Sequence, residues 1–273
     1  MADQGPQQRV VLLGASNLTR GLGTVLSTLN AMYGGPVDVF SALGRGRSYG
    51  LRASLLWRSL PGILQCGIWE ALAARPQLPT TALITDIGND LLYQASVDNI
   101  VTWVERCCDR LAPLAERLAL TGLPICNLQK ISNGRFLFFR SLFVPGCRLS
   151  RDEVIARATE LQERLRLLAQ ERGIGWVEQQ PEWFGIDPIH FRRRAWPAAW
   201  KTILAPLQTT TATSQDTSLN GAGGETQNNS PRTPLLGVKI WLAAPQERAF
   251  FGHVQQGAQP CLKLRNGTQV SLY

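Results

Sequence analysis

Histidine is scarce in this chain. Among 273 residues there are two, His190 and His253. Any chemistry that needs an imidazole base must draw on one of them. Neither lies near paired cysteines, which argues against a Cys/His zinc centre, and no metal is expected. The six cysteines (Cys66, Cys107, Cys108, Cys126, Cys147 and Cys261) are irregularly spaced and form no C-x-x-C. The expectation is reduced, mostly buried thiols in a reducing compartment. Long apolar runs are missing too, since none approaches the roughly 18 residues needed to cross a bilayer. The stretch 1–8 is polar and lacks the charged-then-apolar pattern of a signal peptide, so a soluble, cytoplasmic protein is expected. Lysine is confined to Lys130, Lys201, Lys239 and Lys263, which leaves arginine to carry nearly all of the net charge of +8. Those arginines are scattered apart from Arg192-Arg193-Arg194, and no basic stripe alternates with aromatics. This reads as a solvated surface and not as a nucleic-acid site.

Several phosphate and nucleophile motifs are also absent. Residues 14–24 contain no Gly-Lys-Ser/Thr, which excludes a P-loop. Gly44 to Gly50 resembles a dinucleotide fingerprint, but its third glycine comes one residue late and it follows the second strand, not the first. Position 18 is Leu, so Ser16 is not in the Gly-x-Ser-x-Gly elbow of α/β-hydrolases.

What is present is a regular alternation. Val10-Val11-Leu12-Leu13 is a short apolar run ended by Gly14, as in a strand buried on both faces. Leu22, Val25, Leu26, Leu29 and Met32 give helical spacing over 19–33. Val37 to Leu43 reads as a second strand and runs into a glycine-rich loop. Residues 51–74 read as two helical pieces broken at Pro61-Gly62, and 81–85 as a third strand. Helical periodicity runs from 95 to 120, followed by a fourth strand at 124–128 and an aromatic-rich connection at 131–149. Ser150 and Glu153 form a capping-box pattern opening a helix to about Arg172, with Gly173 as its cap. A fifth strand at 174–177 precedes Asp187-Pro188-Ile189-His190 and a last helix to about Leu207. The order predicts a three-layer α/β/α sandwich with a five-stranded parallel sheet over 1–207. A Thr/Ser/Asn/Gln/Gly-rich linker is expected at 208–235. The segment 236–273 is expected to be small and β-rich, with a hairpin at Asn266-Gly267. It is too short for its own core and should pack on the main domain or on a partner.

In a parallel sheet, the loops after the strands share one edge, where ligands bind. Ser16 follows the first strand, where it is either a nucleophile or a helix N-cap. Asp187, three residues before His190, can accept from ring Nδ1 and leave Nε2 for a nucleophile; alternatively it caps the following helix. Gly44, Gly46 and Asn89 can supply or permit donors for an oxyanion, although Gly-Asn-Asp is also an ordinary turn.

These four blocks resemble the SGNH hydrolases, the GDSL-type esterase and lipase superfamily. They are Gly14-Ala15-Ser16-Asn17-Leu18, Gly44-Arg45-Gly46-Arg47-Ser48, Ile87-Gly88-Asn89-Asp90 and Asp187-Pro188-Ile189-His190, in the family's order. The resemblance implies a flavodoxin-like fold and ester hydrolysis without a cofactor. It implies Ser16 as nucleophile, His190 as base, Asp187 as its partner, and Ser16, Gly46 and Asn89 as the oxyanion hole. The expected partner is a small-molecule ester. Ala15 stands where family members usually carry aspartate, which keeps open a catalytically inactive binding module as the alternative. Phe136, Phe138, Phe139 and Phe143 are core residues or, where they line the site, favour an apolar acyl chain. Arg45 and Arg47 flank Gly46 and raise the expectation of an anionic substrate group.

Overall fold

The computed structural model describes residues 5–55, 58–208 and 245–273. In chain order the elements are β1 (Gln8–Leu13), α1 (Ser16–Tyr33), β2 (Val37–Ala42), β3 (Ala53–Leu55), β4 (Arg58–Leu60), α2 (Ile68–Ala73), β5 (Thr80–Ile84), α3 (Asn89–Leu92), α4 (Val97–Leu111), β6 (Arg117–Thr121), α5 (Ile125–Lys130), α6 (Asn133–Phe143), α7 (Arg151–Glu171), β7 (Gly175–Val177), α8 (Trp196–Leu204), β8 (Glu247–Phe250), β9 (His253–Gln256), β10 (Leu262–Lys263) and β11 (Gln269–Leu272).

β1 lies at the centre because both its faces are apolar. Val10 and Leu12 point to the layer built by α1 and α8, where they meet Leu22, Val25 and Trp200. Val11 and Leu13 point the other way, to α4 and α7, where they join Ile100, Val104, Leu161 and Leu165. This is the period of two of an extended chain. β1 pairs in parallel with β2 on one side and with β5 on the other, and β6 and β7 follow β5 in parallel. These five parallel strands, flanked by helices on both faces, match the expected number and order, although the fourth lies earlier in the chain than expected. The strand order reverses between β1 and β5, and such a switch point opens a crevice at the strands' carboxyl ends.

The later part of the chain extends this sheet. β11 adds in parallel to β2, and β10 pairs antiparallel with β11, giving the order β10-β11-β2-β1-β5-β6-β7. The turn between β10 and β11 is the expected Asn266-Gly267 hairpin, with Gly267 at positive φ. A second, antiparallel sheet has the order β3-β4-β8-β9. The first part of the expected β-rich segment, 236–244, and nearly all of the expected linker lie outside the described residues.

Four local expectations are corrected. Residues 53–55 and 58–60 form the antiparallel strands β3 and β4, not helix, and β8 pairs with β4 from far along the chain. The helix expected to reach 120 ends at Leu111, just before Ala112-Pro113, and the fourth strand is β6. The residues expected as that strand, 124–128, fall in α5, and the connection at 131–149 contains α6. Asp187 does not cap the last helix: α8 begins at Trp196 after a short turn at 193–195.

Candidate active site

α1 begins at Ser16, so this serine is the first helical residue and Ala15 holds the capping position. Alanine has no side-chain acceptor. The acceptor comes instead from Asp86, at the end of β5. Its carboxylate takes the Ala15 and Leu18 N–H groups, each at 3.0 Å, and the Asn17 amide at 2.9 Å. A bond to the third helical N–H is the one an N-cap side chain normally makes. Asp86 has φ +59°, a left-handed conformation that aspartate tolerates better than most residues.

Asn17 carries the connection onward. Its amide N–H donates to the Ile189 carbonyl at 2.9 Å, and its oxygen accepts the Phe191 N–H at 2.8 Å. The two bonds grip the chain on either side of His190. His190 Nε2 stands 3.0 Å from Ser16 Oγ, and Nδ1 stands 2.6 Å from Asp187 Oδ2. The other Asp187 oxygen accepts the Ile189 and His190 N–H groups at 3.1 and 3.2 Å. Burial alone would raise the Asp187 carboxyl. The His190 hydrogen bond and charge, with the two backbone donors, outweigh it and hold the carboxyl below its ordinary value. The Phe143 ring meets the His190 ring edge-on at 5.3 Å.

Beside Ser16 lies a cavity of about 90 Å³. Its walls are mostly apolar: Leu92, Leu123, Leu128, Ile131, Phe136, Phe139 and Phe143, with Asn89 and Arg140 among the polar residues.

No protein-family model and no curated protein matches the chain. Solved structures do match. One is similar at a TM-score of 0.51 and 14% identity, over 74% of this chain and 97% of that one. Est24, a carbohydrate acetylesterase from Sinorhizobium meliloti, is similar at 0.49 and 14%, over 72% of this chain and 97% of its own. The native aryl esterase of M. smegmatis is similar at 0.49 and 15%, over 72% and 96%. The chain shares its α/β fold with the first of these structures. At these identities the likeness concerns the fold alone.

Within that fold, Ser16 and Asn89 line the cavity, and Asp187 and His190 reach Ser16 through hydrogen bonds. The Asn89 amide also donates to the Arg47 carbonyl at 3.3 Å, which brings the glycine loop against α3. Gly46 adopts φ +66°, and a Cβ there would come within 2.8 Å of the Tyr93 hydroxyl. That hydroxyl donates to the Gly46 carbonyl, and burial pushes its pKa up to about 12, so it stays a donor at neutral pH. Gly46 does not line the cavity. Arg47 is fully buried, and its guanidinium donates to the carbonyls of Leu43 and Pro61 and to the Tyr273 main-chain oxygen. It is therefore turned into the protein and offers no charge to a substrate; Arg45 is exposed. Asp90, buried beneath the loop, accepts from the Ser48 hydroxyl and the Tyr49 N–H. Of the four phenylalanines, Phe136, Phe139 and Phe143 line the cavity while Phe138 is exposed.

Sequence reasoning missed Asp86, Asn17 and Tyr93. The first two lay inside or beside the quoted blocks. Their polarity next to buried strands was the only available signal.

Proposed function

We propose that this protein is a serine hydrolase that cleaves carboxylic esters through an acyl-enzyme intermediate on Ser16. The observation that carries the reading is the line Ser16 Oγ, His190 Nε2, His190 Nδ1, Asp187 Oδ2, with spacings of 3.0 and 2.6 Å, beside an apolar cavity. Asp187 accepts a hydrogen bond from Nδ1–H and so leaves Nε2 as the base facing the serine. His190 takes the hydroxyl proton as Oγ attacks the ester carbonyl, then returns it to the departing alkoxide. Water repeats the sequence and releases the acid.

Negative charge on the carbonyl oxygen needs donors already in place. The Ser16 N–H is the first of α1 and has no partner within the helix. It sits at the positive end of an 18-residue helix, which favours a developing anion. The Asn89 amide faces the same cavity, and the Gly46 N–H is the third donor in this reading. The mechanism requires no cofactor. The cavity suits an apolar acyl group of a few carbons, being smaller than the roughly 150 Å³ apolar void that accommodates benzene. Names such as carbohydrate acetylesterase and aryl esterase among the fold's relatives are compatible with that size.

The test is covalent labelling. A fluorophosphonate probe should modify Ser16 of the folded protein, located by peptide mass spectrometry. Ser16→Ala should lose labelling and all but a small remnant of hydrolysis of 4-nitrophenyl acetate, a drop of about 10³-fold or more. Unlabelled, folded parent protein, or full activity in Ser16→Ala, would overturn the reading.

A further inference from the structure

Helix α6 is apolar on both its sides. Phe136, Phe139 and Phe143 face the cavity, whereas Leu137, Phe138 and Leu142 are 40%, 63% and 59% exposed. Ile186, 78% exposed, joins this outer face from the loop that carries Asp187 and His190, and the Arg135 guanidinium donates to its carbonyl. Exposed large apolar side chains that cluster in this way mark an interaction surface. The surroundings are predominantly basic. From 117 to 151 the chain has no Asp or Glu, and the α6 region carries Lys130, Arg135, Arg140 and Arg148, while Arg151 is paired with Asp152. The patch is also continuous with the site. Phe138 packs edge-on against Phe139, Phe139 stacks on Phe143, and Phe143 meets His190.

We propose that the outer face of α6, with Ile186, docks on an anionic lipid surface and presents the mouth of the cavity to it. Apolar side chains on a helix bordered by basic residues are the combination that holds a helix at a membrane interface. The apolar groups enter the acyl boundary, and the cations meet the headgroup phosphates. A second copy of the chain would bring the same basic rim against itself, so the charge favours an anionic partner. The docking stands on the surface alone. Its use, which is to bring an ester held in the lipid to Ser16, rests on the hydrolase reading above.

Vesicle co-sedimentation of the full chain tests the docking. Vesicles of phosphatidylcholine with one-third phosphatidylglycerol should bind the protein, and vesicles of phosphatidylcholine alone should bind it at least tenfold more weakly. Phe138→Ser with Leu142→Ser should lower the partition coefficient at least tenfold and leave hydrolysis of soluble 4-nitrophenyl acetate unchanged. Lys130→Gln and Arg148→Gln should each lower it about fivefold at low salt, an effect that fades as ionic strength rises. Failure to bind anionic vesicles, or binding that ignores Phe138 and Leu142, overturns the proposal. So does a concentration-dependent dimer that the double substitution dissolves, since a second copy would then own the patch. Ser16 labelling in the same samples shows separately whether the hydrolase reading holds.

Discussion

At the scale of single residues, the site depends on a carboxylate that performs no chemistry in the proposed reaction. Asp86 caps α1, which cannot cap itself, and through Asn17 ties the serine turn to the histidine loop. Asp86→Ala leaves the Ala15 and Leu18 N–H groups without their acceptor, at about 1–3 kcal/mol for each group that stays buried. The expected outcome is a 10–100-fold fall in kcat with little change in KM, slower fluorophosphonate labelling, and partial rescue in Asp86→Asn, which keeps one acceptor oxygen. Equal losses in both variants would mean that one acceptor oxygen is not enough, and parent-like activity in Asp86→Ala would overturn the positioning role. Asp90 makes a different prediction. Burial raises its pKa to about 6, an effect the Ser48 and Tyr49 hydrogen bonds only partly offset. The folded state therefore holds this proton more tightly than the unfolded chain. The stability it contributes is full below about pH 4 and is lost as pH rises through about 6. Asp90→Asn removes that dependence. Urea unfolding between pH 4 and 7 should show the variant gaining on the parent as pH rises, by up to about 3 kcal/mol. A difference that stays constant with pH would contradict the assignment.

At the scale of elements, α1 shows how packing decides against propensity. Gly21 lies within the helix, where alanine would normally gain about 1 kcal/mol. Here a Cβ would stand 2.1 Å from the Trp200 Nε1 of α8. Gly21→Ala should therefore destabilise the protein by about 1–3 kcal/mol, read as a lower urea midpoint at unchanged slope. An increase in stability would mean that the two helices can separate at little cost. The same competition explains which elements could be read from the sequence. β1, β2 and β5 were legible because each is a short apolar run closed by a turn. α7 was legible because Ser150 and Glu153 form its capping box. β6 was not, since Leu118 and Leu120 continue the helical spacing of α4 and only Pro113 marks the break. The antiparallel pair β3 and β4 was also hidden, because its outer partner β8 arrives nearly 190 residues later. In the candidate site, Ser16 and the Asp187–His190 loop follow strands whose carboxyl ends share one edge, but β7 stands three strands from β1, so the loop must return along that edge to reach the serine. Asp86 and Asn17 act through contacts spanning 69 and 172 residues, which no local pattern records.

At the scale of the whole molecule, an edge of the central sheet is built from the last residues described. β11 covers the outer side of β2, and the Tyr273 ring stacks on Phe40 at 5.7 Å. The Tyr273 main-chain oxygen accepts from the buried Arg47 guanidinium, which sits directly after the glycine proposed for the oxyanion hole. A chain ending at Gln208 would expose the hydrogen-bonding edge of β2, an invitation to pair with other chains. It would also take one acceptor from a fully buried guanidinium, a loss of about 1–3 kcal/mol for a buried donor left unpaired. Residues 1–207 were expected from sequence to form the hydrolase-like domain, yet β11 lies inside their sheet. The truncated chain should therefore be aggregation-prone in size-exclusion chromatography and should lose Ser16 labelling. Deleting only 212–234, which removes the proposed linker and keeps β8 to β11, should preserve both solubility and labelling. A soluble chain ending at Gln208 that labels at the parent rate would show that β11 is dispensable and that Arg47 has another way to satisfy its charge.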